Sequence, residues 1–327
     1  MRRQSALIFL IVALLGLIGV SRWVFTDPQP LERTALIMGT LVEIRAYPNP
    51  AGDAAAAVDA AFAEMRRLDK LLSSYEPASE ISQLSASTEA LELSAETVAL
   101  LRQGQQLARR TQGAFDMTLG RVNQLWGIAG DNPRVPDPAA LRAALQGSGP
   151  DALTISGRRV TKADPRLQVD LGGIAKGYAI DRAVAVLRRA GITSAAVNAG
   201  GDIRLLGRRE ERPWKIGIQH PRRSDAILLR LKLSDTAVVT SGDYERYFEQ
   251  DGVRYHHIFD PVDGRPARLC QSVTVVAAQA VQADALATAA FVLGPERGLR
   301  LLEDLPEVEG LLVDSAGRLV KTSGLPE

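Results

Sequence analysis

The stretch VDLGGIAKGYAIDRAV, Val169 to Val184, decides how the rest of the chain is read. Val169, Asp170 and Leu171 continue a strand-like run, Gly172 and Gly173 break it, and an apolar face at helical spacing follows. Paired glycines permit unusual dihedrals and close backbone approach. A helix start directs free N–H groups at an anion. Lys176 adds a point charge there, with Asp170 and Asp181 on either side. Strand, turn and helix in this order suit a bound phosphate. The spacing matches neither the phosphate loop of nucleoside triphosphatases nor the dinucleotide fingerprint. Taken alone, a tight turn with a surface lysine accounts for it equally well.

Working outward, DAAAAVDAAFAEMRRLDKLLSSY carries an apolar stripe at helical period. SAETVALLRQGQQLARRTQG is a second helix, opened by Ser94 and closed by Gly113. ALIMGTLVEIRAYP alternates as a strand, and LQGSGPDALTISGRRVTKADPRLQVDLG predicts a hairpin followed by a buried strand. GYAIDRAVAVLRRAG and ADALATAAFVLGPERGLRLLE are further helices. SAAVNAGGDIRLLG, WKIGIQHP, ILLRLKLSDTAVVTSG, YHHIFDP and QSVTVVA are strands or strand ends, and VEGLLVDSAGRLVKTSG is a terminal hairpin. Strands and helices mix without regular alternation, which predicts an α+β fold. Residues 131–150 form a looser insert within one body, 28–327.

Apolar residues make up 46% and charged residues 24% of the chain, the balance of a globular protein. A formal net charge of +1 gives no electrostatic footprint for nucleic acid. The single cysteine, Cys270, excludes an internal disulfide, and its place ahead of a strand-like run reads as a small buried side chain. At the N-terminus MRRQS is basic and Ala6 to Val20 is unbroken apolar sequence, the pattern of a secretion signal or membrane anchor. Ser21 and Arg22 stand where a lipoprotein would carry its cysteine, and no small-x-small cleavage site is visible. Residues 1–27 are therefore expected to be a signal anchor in preference to a cleaved signal peptide. That orientation leaves the body on the extracytoplasmic side of a bacterial cytoplasmic membrane.

Several residues offer chemistry. NAGGDIRLLG holds a second glycine pair flanked by Asn198 and Asp202. YHHIFDPVDGRPA holds two of the three histidines. In an alternating segment they face opposite sides, and a neutral imidazole can accept a proton from a hydroxyl. Asp243 and Asp260 are both candidates to assist it, and spacing leaves the two open. In QADALATAAFVLG, Asp284 and Thr288 lie four apart on one helical face. A carboxylate and a hydroxyl among small residues suit Mg²⁺ held alongside substrate phosphates; the blander reading makes Asp284 a helix cap. Tyr75 and Met38 can pack on a flat ring or merely cover the core.

Together these residues resemble the ApbE family of FAD:protein FMN transferases. The markers run in order: MGT, LSSYEPASEIS, GAFDMTLG then WG, VDLGGIAKGYAID, NAGGDIRLLG, TSGDYERYF, YHHIFDPVDGRPA and ADALATAAFVLG. Each is weak alone; the ordered set is specific. The resemblance implies one catalytic domain with mixed sheets and flanking helices. It implies FAD as substrate, Mg²⁺ as cofactor, and transfer of FMN to a threonine hydroxyl of a membrane redox-complex subunit, with release of AMP. It puts Met38, Tyr75, Ala114, Phe115, Asp116, Asp170, Lys176 and Ile258 around FAD. The metal falls to the side chains of Asp284 and Thr288 and the carbonyls of Gly173 and Ala287, and the base to His257. Hydrolysis of FAD to FMN and AMP at the same site and non-catalytic flavin binding are the alternatives. Intact Asp284, Thr288 and His257 count against a pure binder.

Overall fold

The computed structural model describes residues 29–48, 53–128, 130, 132–209 and 211–325. The segment read as an anchor, 1–27, lies outside them, and among the described residues no helix is long and apolar enough to cross a membrane. The strands, in chain order, are β1 (Leu31–Ile37), β2 (Thr40–Ala46), β3 (Leu91–Glu92), β4 (Leu153–Ser156), β5 (Arg159–Lys162), β6 (Ala195–Ala199), β7 (Asp202–Leu206), β8 (Trp214–His220), β9 (Arg223–Leu233), β10 (Ala237–Gly242), β11 (Tyr247–Gln250), β12 (Val253–His256), β13 (Cys270–Ala277), β14 (Glu309–Asp314) and β15 (Leu319–Lys321). The helices are α1 (Ala54–Leu72), α2 (Glu80–Ala86), α3 (Ala95–Arg110), α4 (Gly120–Trp126), α5 (Pro138–Leu145), α6 (Ala175–Arg189) and α7 (Ala280–Glu303), the last kinked at Gly294–Pro295.

Eight strands form one sheet in the order β1-β2-β6-β7-β10-β13-β14-β15, and each ladder between them is antiparallel. Val42, Ile44, Val197, Val239 and Val275 turn one face of this sheet to α1, α6 and α7, where Phe62, Met65, Ile180, Leu286 and Phe291 meet them. The alternate residues Leu205, Val238, Val276 and Leu311 meet Trp214, Ile216, Ile218 and Leu231 of the β8–β9 hairpin on the other face. Side chains of successive strand residues point oppositely. Burial on both faces is why β13 reads as an almost continuous apolar run. Smaller sheets pair β11 with β12 and join β3, β5 and β4.

Three expectations change. ALIMGTLVEIRAYP is a hairpin, not one strand. Met38 and Gly39 take φ of 55° and 70°, between Ile37 and Thr40 paired across the turn, as two-residue hairpin loops require. The buried strand ahead of Gly172 reduces to a single parallel bridge, Leu119 to Gln168. Its backbone is bound instead to the loop before α4: Gly120 N–H donates to Gln168 O at 3.1 Å, and Asp170 N–H to Met117 O at 2.8 Å. The insert is not loose. Asp137 caps α5, and Leu141 and Ala144 pack on Val122, Trp126 and Phe259.

Candidate active site

A cavity of about 690 Å³ opens at one end of the main sheet, within the range of small-molecule sites. Its wall comes from the β1–β2 turn, the end of α1, the loop before α4, the glycine stretch into α6, the β6–β7 turn, the end of β10, the residues after β12, and α7. Met38, Tyr75, Ala114, Phe115, Asp116, Asp170, Gly173, Lys176, His257, Ile258, Asp284 and Thr288 all line it. Ala287 is fully buried within α7 and is not part of the wall.

Helices α6 and α7 build the floor by holding one another. Gly177, in the first turn of α6, donates its N–H to Asp284 Oδ2 at 2.9 Å. In return Asp181 of α6 accepts from Ala280 N–H at 3.0 Å and Val281 N–H at 2.9 Å, the opening amides of α7. Asp181 is thus the cap of α7, whose own N-cap residue, Gln279, makes no capping bond. Asp284 caps nothing in its own helix but serves the opening of α6, whose N-cap residue Ile174 makes no capping bond, so the cap reading holds across the two helices. The helices approach so closely that a Cβ on Gly177 would stand 2.3 Å from Ala280 O.

Asp284 lines the cavity while its Oδ2 is engaged by Gly177. Burial first, then the negative charge of Asp202, pushes its pKa up to about 7, against the pull of Lys176. A carboxylate so disfavoured as an anion gains by meeting a cation. Thr288 follows one turn later on the same face. A Cβ added to Gly173 would lie 3.2 Å from Thr288 Oγ1 and 3.3 Å from the Phe115 ring, so a side chain there would crowd this corner. Among the described residues no three carboxylate, imidazole or thiol groups gather as a metal set. The side-chain oxygens that line this corner are one carboxylate, Asp284, and one hydroxyl, Thr288, beside Gly173. That hard-oxygen set fits Mg²⁺, which binds few protein ligands and completes its shell with water and phosphate.

Lys176 pairs with Asp202 of β7. Burial opposes its charge, but Asp202 and then Asp284 outweigh that, so its pKa stands above the ordinary value. The cation is held in place. The backbone amides around it are largely spent: Gly172 N–H goes to Asp170 Oδ1 at 2.8 Å, and Ile174 and Ala175 N–H both reach Leu171 O. The anion cradle expected of the helix start therefore rests on Lys176 more than on free N–H groups. Asp202, read from sequence only as a flank of the second glycine pair, and Glu245 both line the cavity. Their signals were the residue after the second glycine pair and the TSGDYERYF marker.

The outer end suits a flat ring. Tyr75 is 68% exposed at the mouth while Phe115 is buried. Met38, held in the left-handed region, donates its N–H to Asp69 Oδ2 at 3.1 Å. Asp170 Oδ2 accepts from Asn123 Nδ2 at 2.6 Å, and Asp116 accepts from the Thr118 hydroxyl at 2.6 Å.

The histidines face apart as alternation requires. His256 is buried away from the cavity, with Nε2 2.7 Å from Ala267 O and its ring edge-on to Phe291. His257 lines the cavity. Its Nδ1 and its backbone nitrogen each lie 3.2 Å from Arg246 O. A carbonyl only accepts, so the ring proton sits on Nδ1 and the Nε2 lone pair is available. Burial lowers the His257 pKa to about 4, with the charges of Arg246 and Lys176 acting the same way. The ring is neutral near pH 7. Asp260 serves its turn, accepting from Val262 N–H at 2.9 Å.

Comparison with known proteins agrees with this geometry. The model of the ApbE family matches residues 38–312. An FAD:protein FMN transferase of Treponema pallidum is 35% identical over 90% of this chain and 87% of its own length. The crystal structure of an ApbE protein of Thermotoga maritima superposes with a TM-score of 0.85 at 36% identity, covering 90% of this chain and 97% of that one. The flavin transferase ApbE of Vibrio cholerae superposes at 0.81 and 33% identity, covering 90% and 97%. The residues matched by the family model include every wall segment of the cavity, and the chain belongs to the ApbE family.

Proposed function

We propose that this enzyme transfers the FMN half of FAD to a threonine hydroxyl of a target protein and releases AMP. The observation that carries the reading is the convergence in one cavity of a neutral His257 with Nε2 free, Lys176, and the oxygen set of Asp284, Thr288 and Gly173. Phosphoryl transfer is dominated by positioning and charge neutralisation. Lys176 stands where it can meet the pyrophosphate. Asp284, Thr288 and the Gly173 carbonyl would hold Mg²⁺, which when bound supplies charge neutralisation on the pyrophosphate oxygens. His257 Nε2 takes the proton of the acceptor hydroxyl as its oxygen bonds to the FMN phosphorus. The bond from that phosphorus to the bridging oxygen breaks, and AMP departs with that oxygen. Tyr75, Phe115 and Met38 would orient the isoalloxazine.

The targets we propose are subunits of membrane redox complexes, such as the sodium-translocating NADH:quinone reductase. An anchored N-terminus with the body outside the cytoplasm would bring enzyme and target to one membrane. The test incubates the full chain with FAD and Mg²⁺, with and without the flavin-bearing subunit of that reductase. Covalent flavin is followed by in-gel fluorescence and AMP by chromatography. Flavin on the target with matching AMP is the expected result. AMP and FMN formed equally without a target would make the protein a pyrophosphatase, and bound FAD without AMP a binder.

A further inference from the structure

Residues 242–246 carry the Arg246 carbonyl that engages His257, and Gly242, Glu245 and Arg246 face the cavity. Asp243 turns the other way. It is 8% exposed and bonded by elements absent from the cavity wall. Arg222, in the turn between β8 and β9, donates Nη1 to Oδ1 at 2.7 Å and Nη2 to Oδ2 at 2.6 Å. This forked pairing is strong and directional. Arg254 of β12 stands 3.7 Å from Oδ1 and lies 4.1 Å over the Tyr247 ring. The Asp243 N–H donates to Gln271 O of β13 at 3.1 Å. Two guanidinium groups around one buried carboxylate are costly to desolvate, yet none of the three touches the cavity. What they share is the segment that reaches His257.

We propose that Asp243 is a positioning residue for the transfer reaction: clamped by Arg222 and Arg254, it sets residues 242–246 so that the Arg246 carbonyl holds His257 as the Nδ1–H tautomer, with Nε2 presented to the acceptor. This rests on His257 acting as the base. Asp243 never contacts the imidazole. It acts through the backbone, as outer partners orient a histidine elsewhere. A second tautomer, with the proton on Nε2, would point a donor where an acceptor is needed.

The other histidines supply an internal contrast. His256 donates Nε2–H to Ala267 O at 2.7 Å and takes the Ile258 N–H on Nδ1 at 3.3 Å. His220 takes the Arg222 N–H on Nδ1 at 3.1 Å, which leaves its proton on Nε2. Of the chain's three histidines, His257 alone carries its proton on Nδ1, so its ¹⁵N pattern is distinct.

The experiment compares the full chain and Asp243→Asn, both ¹⁵N-labelled at histidine, by NMR in detergent and by FMN transfer to the acceptor subunit. The expected result is a His257 signal averaged between tautomers, kcat down about 10- to 100-fold, and a KM for FAD within about twofold of the parent. Asp243→Glu, still able to reach one arginine, recovers part of kcat. An unchanged His257 pattern in Asp243→Asn, or a loss carried wholly by KM, overturns the proposal. If Asp243→Asn does not fold, Arg222→Lys, which keeps the charge and loses the fork, is read by the same criteria. His257→Gln separates the two readings. Undiminished transfer by that variant removes the base assignment, while the NMR comparison still reports whether Asp243 sets the tautomer.

Discussion

Two neighbouring histidines differ because their ring nitrogens meet different partners, and rates follow from that. His257→Gln is expected to lower kcat for transfer by about 10²- to 10⁴-fold and to leave FAD affinity, read by flavin fluorescence, nearly unchanged. The acid limb of kcat/KM is expected near pH 4, because the neutral ring is the active form and its pKa is about 4. Stability has the same sign. Between the ordinary histidine value near 6.5 and about 4, the unfolded chain binds more protons than the folded one. The contribution of His257 is therefore complete above the upper value and is lost as pH falls toward the lower. A limb near 6.5 would contradict the burial that holds this ring neutral. At this scale the sequence alone offered a histidine pair and the rule that they face apart. It could not offer the Arg246 carbonyl, because a backbone acceptor has no letter. Nor could it pair Lys176 with Asp202, which tertiary packing brings together.

Among the elements, α6 and α7 bear the site by reciprocal bonds. Asp181→Ala removes the cap of α7 and the carboxylate 3.4 Å from Arg204, which keeps its bond to Leu205 O. A loss of about 2 kcal/mol is expected by urea denaturation, with transfer by the folded fraction retained. Gly177→Ala drives a Cβ against Ala280 O and is expected to cost about 1–3 kcal/mol. It should also weaken Mg²⁺ binding, measured by calorimetry, by moving Asp284. The helices were legible because their apolar stripes and caps are local: Asp53 and Ser94 stand where capping rules put them. The β1–β2 turn was not, because methionine at a left-handed position breaks the usual turn composition. The residues ahead of Gly172 look strand-like in sequence for a different reason. Their apolar character reflects burial against a loop, not pairing in a sheet.

For the molecule as a whole, the α+β character was legible from mixed periodicities, whereas the strand order was not, since antiparallel neighbours here are often distant in sequence. Most of the cavity wall was reached through ordered motifs; within them Glu245, a neighbour of Lys176, and Arg246, which holds His257, were not singled out. The metal reading is tested at this scale. Asp284→Ala is expected to abolish Mg²⁺-stimulated transfer, and chelation by EDTA to do the same to the parent, with restoration by added Mg²⁺. Transfer by Asp284→Ala at the parent rate with Mg²⁺ present would remove the metal from that residue.

The β1–β2 and β6–β7 turns touch where Gly200 leaves no room for a Cβ, which would stand 2.3 Å from Thr40 Oγ1. One wall of the cavity is therefore made by joining segments widely separated along the chain, and the floor waits further for α7. Such contacts come after the loop between them has been closed, and loop closure is slow and entropically opposed. A ribosome-bound chain that ends before α7 already contains the glycine stretch and Lys176 but has no place for FAD. The pocket is thus complete only once α7 has supplied Asp284 and Thr288 to its wall.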